Sequence, residues 1–260
     1  MPDNEIRQDL RGSTLWVTLN RPEARNALTF AMYDELARIC SGVTLGGAVK
    51  AIVVTGAGDK AFAAGTDMRQ FRAFATDQDA LDYEHRIDMV LEAVERCPVP
   101  TIAAMSGACT GGGAGIAAAC DIRIATADLK IGFPIARTLG NCLSISNLAR
   151  LSGLMGAGRV REMIFTARLL GAEEAKSAGL VSEIVADHEA LLGRAAELAD
   201  TLAGHAPLTL RTTKEGLRRL RVEGPRADDR DLVVEAYRSA DFQEGLEAFL
   251  GKRKPVWKGR

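Results

Sequence analysis

The residues of this chain best placed to do chemistry are backbone groups in two glycine loops. Gly111-Gly112-Gly113 runs straight into a helical pattern at Ala114. The free N–H groups of that helix start, and the positive end of its dipole, face whatever lies above them. A triple glycine also lets a ligand come close to the main chain, because no Cβ stands in the way. A second loop, Ala63-Ala64-Gly65-Thr66, likewise leads from a strand into a helical pattern and offers the N–H of Thr66. Two such donors aimed at one oxygen make an oxyanion hole, whereas either run alone serves equally as a tight turn or close-packing point. A nucleotide reading rests on Gly56-Ala57-Gly58-Asp59-Lys60-Ala61, which follows a strand like a degenerate dinucleotide fingerprint. The helix that should follow is replaced by the Ala-rich loop, and the strand does not open a clean βαβ pair.

Strands must lie behind these loops and helices ahead of them. Thr14 to Leu19 alternates, with Leu15, Val17 and Leu19 on one side and Trp16 and Thr18 on the other, which predicts a half-buried strand. Thr29 is expected to cap a helix carrying Met32, Leu36, Ile39 and Val43 at helical spacing. A strand over Val49 to Thr55 follows, then a helical pattern opened by Asp67 and running through Phe71 and Phe74, and a long amphipathic helix over Leu81 to Glu95. The theme returns as a strand at Thr101 to Met105, the triple-glycine loop, a helix at Ala114 to Ala119, a strand at Ile122 to Ala125 and a helix near Leu143 to Leu151. Such alternation implies an α/β fold with largely parallel pairing. From about Leu191 no strand signal remains and three charged amphipathic helices carry the chain on. The expected division is an α/β core over 1–190 and a helical region over 191–260.

Composition excludes several classes. The chain has 260 residues, 47% of them hydrophobic and 26% charged, as in an ordinary globular protein. Thirty-three Lys and Arg against 34 Asp and Glu leave a net charge of -1, no broad footprint for nucleic acid. The last ten residues break the balance, with Lys252, Arg253, Lys254, Lys258 and Arg260 and no acid. Cys40, Cys97, Cys109, Cys120 and Cys142 form no C-x-x-C pair, against a disulfide framework or a zinc site. His85, His188 and His205 show no metal spacing, so no metal is expected. The acidic Met1-Pro2-Asp3-Asn4-Glu5 start is unlike an export signal, and the uncharged Thr101 to Cys120 stretch is too rich in small residues for a membrane span. A cytoplasmic setting follows.

Longer stretches resemble a known group. Leu19-Asn20-Arg21-Pro22-Glu23-Ala24-Arg25-Asn26-Ala27-Leu28, Val53-Val54-Thr55-Gly56-Ala57-Gly58, Ala61-Phe62-Ala63-Ala64-Gly65-Thr66-Asp67, Gly107 to Asp121, Ala175 to Val181 and Ala248 to Arg253 together resemble the crotonase superfamily, the enoyl-CoA hydratase/isomerase group. The resemblance implies a crotonase-like spiral of ββα units with a C-terminal helical oligomerisation region, assembled as a homotrimer or homohexamer. It implies an acyl-CoA thioester as ligand, with no cofactor beyond the CoA moiety of the substrate. The two N–H groups that hold a thioester enolate or oxyanion map to Thr66 and Gly112. By the same mapping Ala64 and the Ala24-Arg25 segment would meet the adenine end of CoA, and Arg25 a phosphate. Phe249 and Lys252 would cover the nucleotide, from this chain or a neighbouring subunit.

The chain departs from the group where hydratases carry two glutamates. Those positions hold Gly115 and Ile135, which cannot transfer a proton, so ordinary hydration lacks its acid and base. Gly140-Asn141-Cys142 resembles the stretch where aryl-CoA dehalogenases of the superfamily place a nucleophile. Cys142 at a helix start would have its thiolate favoured by the dipole and so be a candidate nucleophile, against the plainer expectation of a small buried hydrophobe. Asn141 would orient a water or bind a carbonyl. Arg137 would hold a substrate carboxylate, as in a decarboxylase, or a structural ion pair. Tyr83 and Glu84, on the helix flanking the acyl pocket, stand as reserve acid or base. The functions left open are an acyl-CoA enzyme using the oxyanion hole, including thioesterase, dehalogenase or decarboxylase chemistry, an acyl-CoA-binding member without chemistry, and nucleotide-dependent oxidoreduction.

Overall fold

A hairpin of β1 (Ile6–Arg11) and β2 (Thr14–Leu19) opens the computed structural model, which describes residues 5–260. The first four residues of the stretch read against export lie outside the described residues. In β1 only Ile6 is buried, so this polar edge strand shows no alternation to find. The helix α1 (Phe30–Gly42) starts where its cap predicts, with the Met32 N–H donating to Thr29 Oγ1 at 3.2 Å. After β3 (Ala51–Gly56) and β4 (Ala61–Ala63), Asp67 caps only a short 3₁₀ stretch, Met68–Ala73, rather than a helix through Phe74. The rings of Phe71 and Phe74 instead turn edge-on to Tyr83. Tyr83 lies on α2 (Asp77–Arg96), which begins ahead of the expected Leu81 because Thr76 and Asp79 form a capping box.

The chain continues through β5 (Thr101–Met105), β6 (Ala108–Thr110), α3 (Gly112–Ala119), β7 (Ile122–Thr126) and β8 (Lys130–Gly132). There follow α4 (Ile135–Thr138), α5 (Ile145–Phe165), β9 (Leu170–Gly171), α6 (Ala172–Ser177) and β10 (Glu183–Val185). The last elements are α7 (His188–Ala203), α8 (Pro207–Glu223), α9 (Arg230–Tyr237) and α10 (Ala240–Leu250). Successive ββα turns add one strand to each of two sheets. The larger runs β1-β2-β3-β5-β7-β10, parallel except for the β1 hairpin. The smaller runs β4-β6-β8-β9, parallel except for β9. Among the described residues no helix is long and apolar enough to cross a membrane.

Both faces of the larger sheet are covered, which corrects the half-buried expectation for β2. Val17 and Leu19 join the main core with Met32, Leu36, Ile52, Val54, Leu91 and Met105. Trp16, on the opposite face, packs with Val53, Ile102 and Ile124 under Leu191, Ala195 and Ala199 of α7. The first helix of the tail is thus a layer of the α/β core, and α8 to α10 follow it. An ion-pair cluster ties the layers together: Glu95 of α2 accepts from Arg150 of α5 at 2.8 Å and from Arg221 of α8 at 2.5 Å.

Candidate active site

The short strands β4 and β6 pair in parallel, Ala61 beside Ala108 and Ala63 beside Cys109, so the loops that leave them emerge side by side. Gly111, at φ 52°, makes the turn into α3 in a region that L side chains rarely adopt, and a Cβ there would stand 3.5 Å from Gly65 Cα. The Thr66 loop is clamped on both flanks: Leu28 N–H donates to Gly65 O and Asp67 N–H to Leu28 O, each at 2.8 Å. Asp67 accepts from Arg69 Nη2 at 2.5 Å and Arg21 Nη2 at 3.1 Å, which hold its carboxyl well below the usual carboxylate range. Between these fixed points the N–H groups of Thr66 and Gly112 have no hydrogen-bond partner among the described residues. Both residues line one cavity of about 350 Å³, and Gly112 is the first residue of α3. Two unpaired donors on a cavity wall, one at a helix start, can hold a developing oxyanion.

Ala64 lies on the same wall, and its N–H donates to Arg25 O at 3.0 Å, which sets the Arg25 backbone beside it. The Arg25 side chain is exposed.

The family model described as enoyl-CoA hydratase/isomerase matches residues 10–260. The chain belongs to the enoyl-CoA hydratase/isomerase family. The short-chain-enoyl-CoA hydratase of Clostridium acetobutylicum is 32% identical over 96% of each chain. The crotonyl-CoA hydratase of Syntrophomonas wolfei is 33% identical over 91% of each chain. The crystal structure of an enoyl-CoA hydratase/carnitine racemase from Magnetospirillum magneticum superposes with a TM-score of 0.89 at 33% identity, covering 99% of this chain and 96% of that one. The crotonase fold expected from the sequence is the fold observed.

Gly115 and Ile135, which the resemblance sets against the two hydratase glutamates, both line the cavity. Leu91 of α2 closes in on the first, its Cδ1 3.4 Å from where a Cβ on Gly115 would stand. Asn141 and Cys142 are also on the wall, in an exposed loop. The helix expected at Cys142 starts later, with Ser144 as its cap and Ile145 as its first residue, so Cys142 lies outside the helix start and gains no thiolate stabilisation from its dipole. Arg137 is exposed on α4, off the cavity wall, and Phe249 and Lys252 lie at the end of α10. Phe249, 81% exposed, borders a separate groove with Tyr237, Phe242 and Trp257. Within one chain, the predicted site residues brought together on the cavity wall are Thr66, Gly112, Ala64, Asn141 and Cys142, with the Arg25 backbone bonded to Ala64.

Two groups gain weight in this family member. Glu84 is the only charged side chain on the cavity wall among the described residues. Burial raises its pKa, the nearby Asp88 raises it further, and the Ser144 N–H opposes both. Tyr33 is the residue the sequence reading passed over. Its hydroxyl lies 2.9 Å from Thr66 Oγ1, which in turn lies 3.0 Å from the Tyr83 hydroxyl. Burial, with Tyr83 beside it, raises the Tyr33 pKa. The one signal available was a polar tip beside the apolar stripe of α1.

Proposed function

We propose that this chain acts on acyl-CoA thioesters by proton transfer at the carbon next to the thioester carbonyl. The N–H groups of Thr66 and Gly112 hold the enolate oxygen, and Glu84 carries the proton. The observation that supports this most is, among the described residues, the pair of unpartnered N–H groups sharing a cavity wall with a single carboxyl. One carboxyl suffices for a 1,3-shift of a double bond. The C2–H bond breaks, its proton goes to Glu84, and the electron pair moves through the enolate. The proton then returns to C4 as the double bond settles at C2. Glu84 ends as it began. Water addition by the family's two-glutamate scheme lacks both of its carboxyls, since Gly115 and Ile135 stand in their places. The uncharged walls around Ile87, Leu91 and Phe133 suit an apolar acyl chain.

On this reading the CoA moiety of the substrate leaves past Ala64 and the Ala24-Arg25 segment, with the exposed Arg25 guanidinium available to a phosphate. Phe249 and Lys252 reach the nucleotide only from a neighbouring copy in a homotrimer or hexamer. The test is incubation with trans-3-hexenoyl-CoA and with crotonyl-CoA, following the conjugated thioester band, and with butyryl-CoA in D₂O, following C2 deuteration by mass. The expected results are band growth with the first, a stable band with the second and deuterium uptake in the third. Binding of all three without deuteration or band change would leave an acyl-CoA-binding member without chemistry and overturn the reading.

A further inference from the structure

The hydroxyls of Tyr33, Thr66 and Tyr83 form a chain with two links, 2.9 Å and 3.0 Å long. Each hydroxyl carries one proton, so three protons serve two internal hydrogen bonds. Tyr33 is 0% exposed, and Thr66 is its hydroxyl's only hydrogen-bond partner among the described residues. A buried O–H without an acceptor is costly, so Tyr33 donates to Thr66 Oγ1. The second link then uses one of the two remaining protons. If Thr66 donates to Tyr83, the Tyr83 proton is spare; if Tyr83 donates to Thr66, the Thr66 proton is spare. Both residues line the cavity. Thr66 Oγ1 also stands 3.2 Å from where a Cβ on Gly112 would be, against the residue that supplies one of the N–H donors.

We infer that the oxyanion hole has a third donor, a side-chain O–H from Tyr83 or Thr66, directed at the oxygen of a bound thioester and strengthened as that oxygen becomes an enolate. The inference rests on the reading of Thr66 and Gly112 as the oxyanion hole. The buried Tyr33 sets the direction of the chain. The Tyr83 ring is held by Phe30, Phe71 and Phe74, with centroids 5.9, 4.8 and 6.0 Å away, so the donor is positioned before the ligand arrives. Burial raises the Tyr83 pKa and so keeps the phenol protonated.

Proton counting gives an unusual pattern of variants. Tyr83→Phe leaves the spare proton on Thr66, and Thr66→Val leaves one on Tyr83. Tyr33→Phe leaves two hydroxyls with one link and still one spare proton. Only the Thr66→Val/Tyr83→Phe double variant removes both carriers on the cavity wall, leaving the buried Tyr33 proton off that wall and keeping the Thr66 N–H. The probe is 4-(dimethylamino)cinnamoyl-CoA, whose absorbance moves to the red when its carbonyl is polarised, read together with C2 deuteration of butyryl-CoA. A bound probe with no red shift in the unmodified protein would overturn the oxyanion-hole reading itself. Given a shift, the three single variants should keep most of it and exchange within about tenfold. The double variant should lose much of the shift and about 10²-fold in exchange, the effect of deleting one such donor. A double variant with the full shift would overturn the third donor and leave the hole standing. Should that variant fail to unfold cooperatively, the unmodified protein decides by proton NMR. A downfield hydroxyl proton with an Overhauser contact to the bound acyl chain is expected, and its absence overturns the inference.

Discussion

Replacing Gly112 by alanine would put a methyl carbon 1.7 Å from the Tyr33 hydroxyl oxygen, 3.0 Å from Tyr33 Cζ and 3.2 Å from Thr66 Oγ1. Non-bonded heavy atoms settle at about 3.5–4.0 Å, so the oxygen must retreat by roughly 2 Å. Tyr33 has no exposed surface and sits among the largest fully buried side chains, so the retreat must come from the packed core. Overpacking of this kind costs about 1–3 kcal/mol. A 2 kcal/mol loss lowers Tm by about 4–8 °C in a domain of this size. Deleting the offending oxygen relieves the clash, because the nearest remaining ring atom is Cζ at 3.0 Å, which a shift of a few tenths of an ångström accommodates. The Gly112→Ala/Tyr33→Phe double variant should therefore be more stable than the sum of its single changes by about 1 kcal/mol or more. Thermal unfolding of the four proteins, with 4-(dimethylamino)cinnamoyl-CoA titration of each, reads both packing and the hole. Strictly additive Tm losses, or an unchanged Tm in Gly112→Ala, would refute the contact between Tyr33 and Gly112.

Gly115→Ala makes the opposite case: its new carbon meets the flexible end of Leu91 at 3.4 Å, so Tm should stay within about 2 °C of the unmodified value, corresponding to about 0.5 kcal/mol. Glu84→Gln should lower the rate of C2 proton exchange by about 10²–10⁴-fold with acyl-CoA affinity little changed. Because burial raises the Glu84 pKa, the exchange rate of the unmodified protein should rise with pH through a midpoint above the ordinary value of a glutamate; a profile flat across the acid range would remove Glu84 from the chemistry. Glu95→Ala leaves Arg150, whose side chain is 3% exposed, without its carboxylate, and denaturant titration should show a loss of about 3–5 kcal/mol. Asp67 is held ionised below its unfolded pKa, first by the Arg69 hydrogen bond and then by Arg21, so its contribution is full above the unfolded value and fades as pH falls through the folded one. The stability gap between the unmodified protein and Asp67→Asn should shrink on acidification, and a constant gap would contradict the pairing.

The elements legible in the sequence were those long enough to show a period or marked by a cap, such as the alternating β2 and the Thr29 helix start. The strands of the smaller sheet are too short to reveal a period of two; β9 has only two residues. The solvent-facing β1 offers no apolar face to recognise. The loops of Thr66 and Gly112 could be read because each leads from a strand into a helical pattern and leaves a backbone N–H free, and two such loops in one chain point to a shared oxygen. Their meeting at one cavity could not, since it depends on β4 pairing with β6. Tyr33 was hidden for a similar reason: it fits the helical stripe of α1 as a large apolar residue would, and only the fold shows what its hydroxyl meets. Phe249 and Lys252 were read from resemblance alone, and a single chain places them elsewhere.

The pairing of β4 with β6 also bears on when the site comes into being. Its donors flank strands more than forty positions apart, and the Gly111 N–H is anchored further along the chain on Gly132 O at 3.0 Å. Closing loops of that length is entropically unfavourable until the contacts beyond them form, so these pairings belong to the slow, non-local part of folding. An unfinished chain therefore has the helices but no hole. A chromophoric thioester added to refolding protein should change colour only in the last kinetic phase, after helical circular dichroism has returned, and would time the completion of the fold rather than its onset.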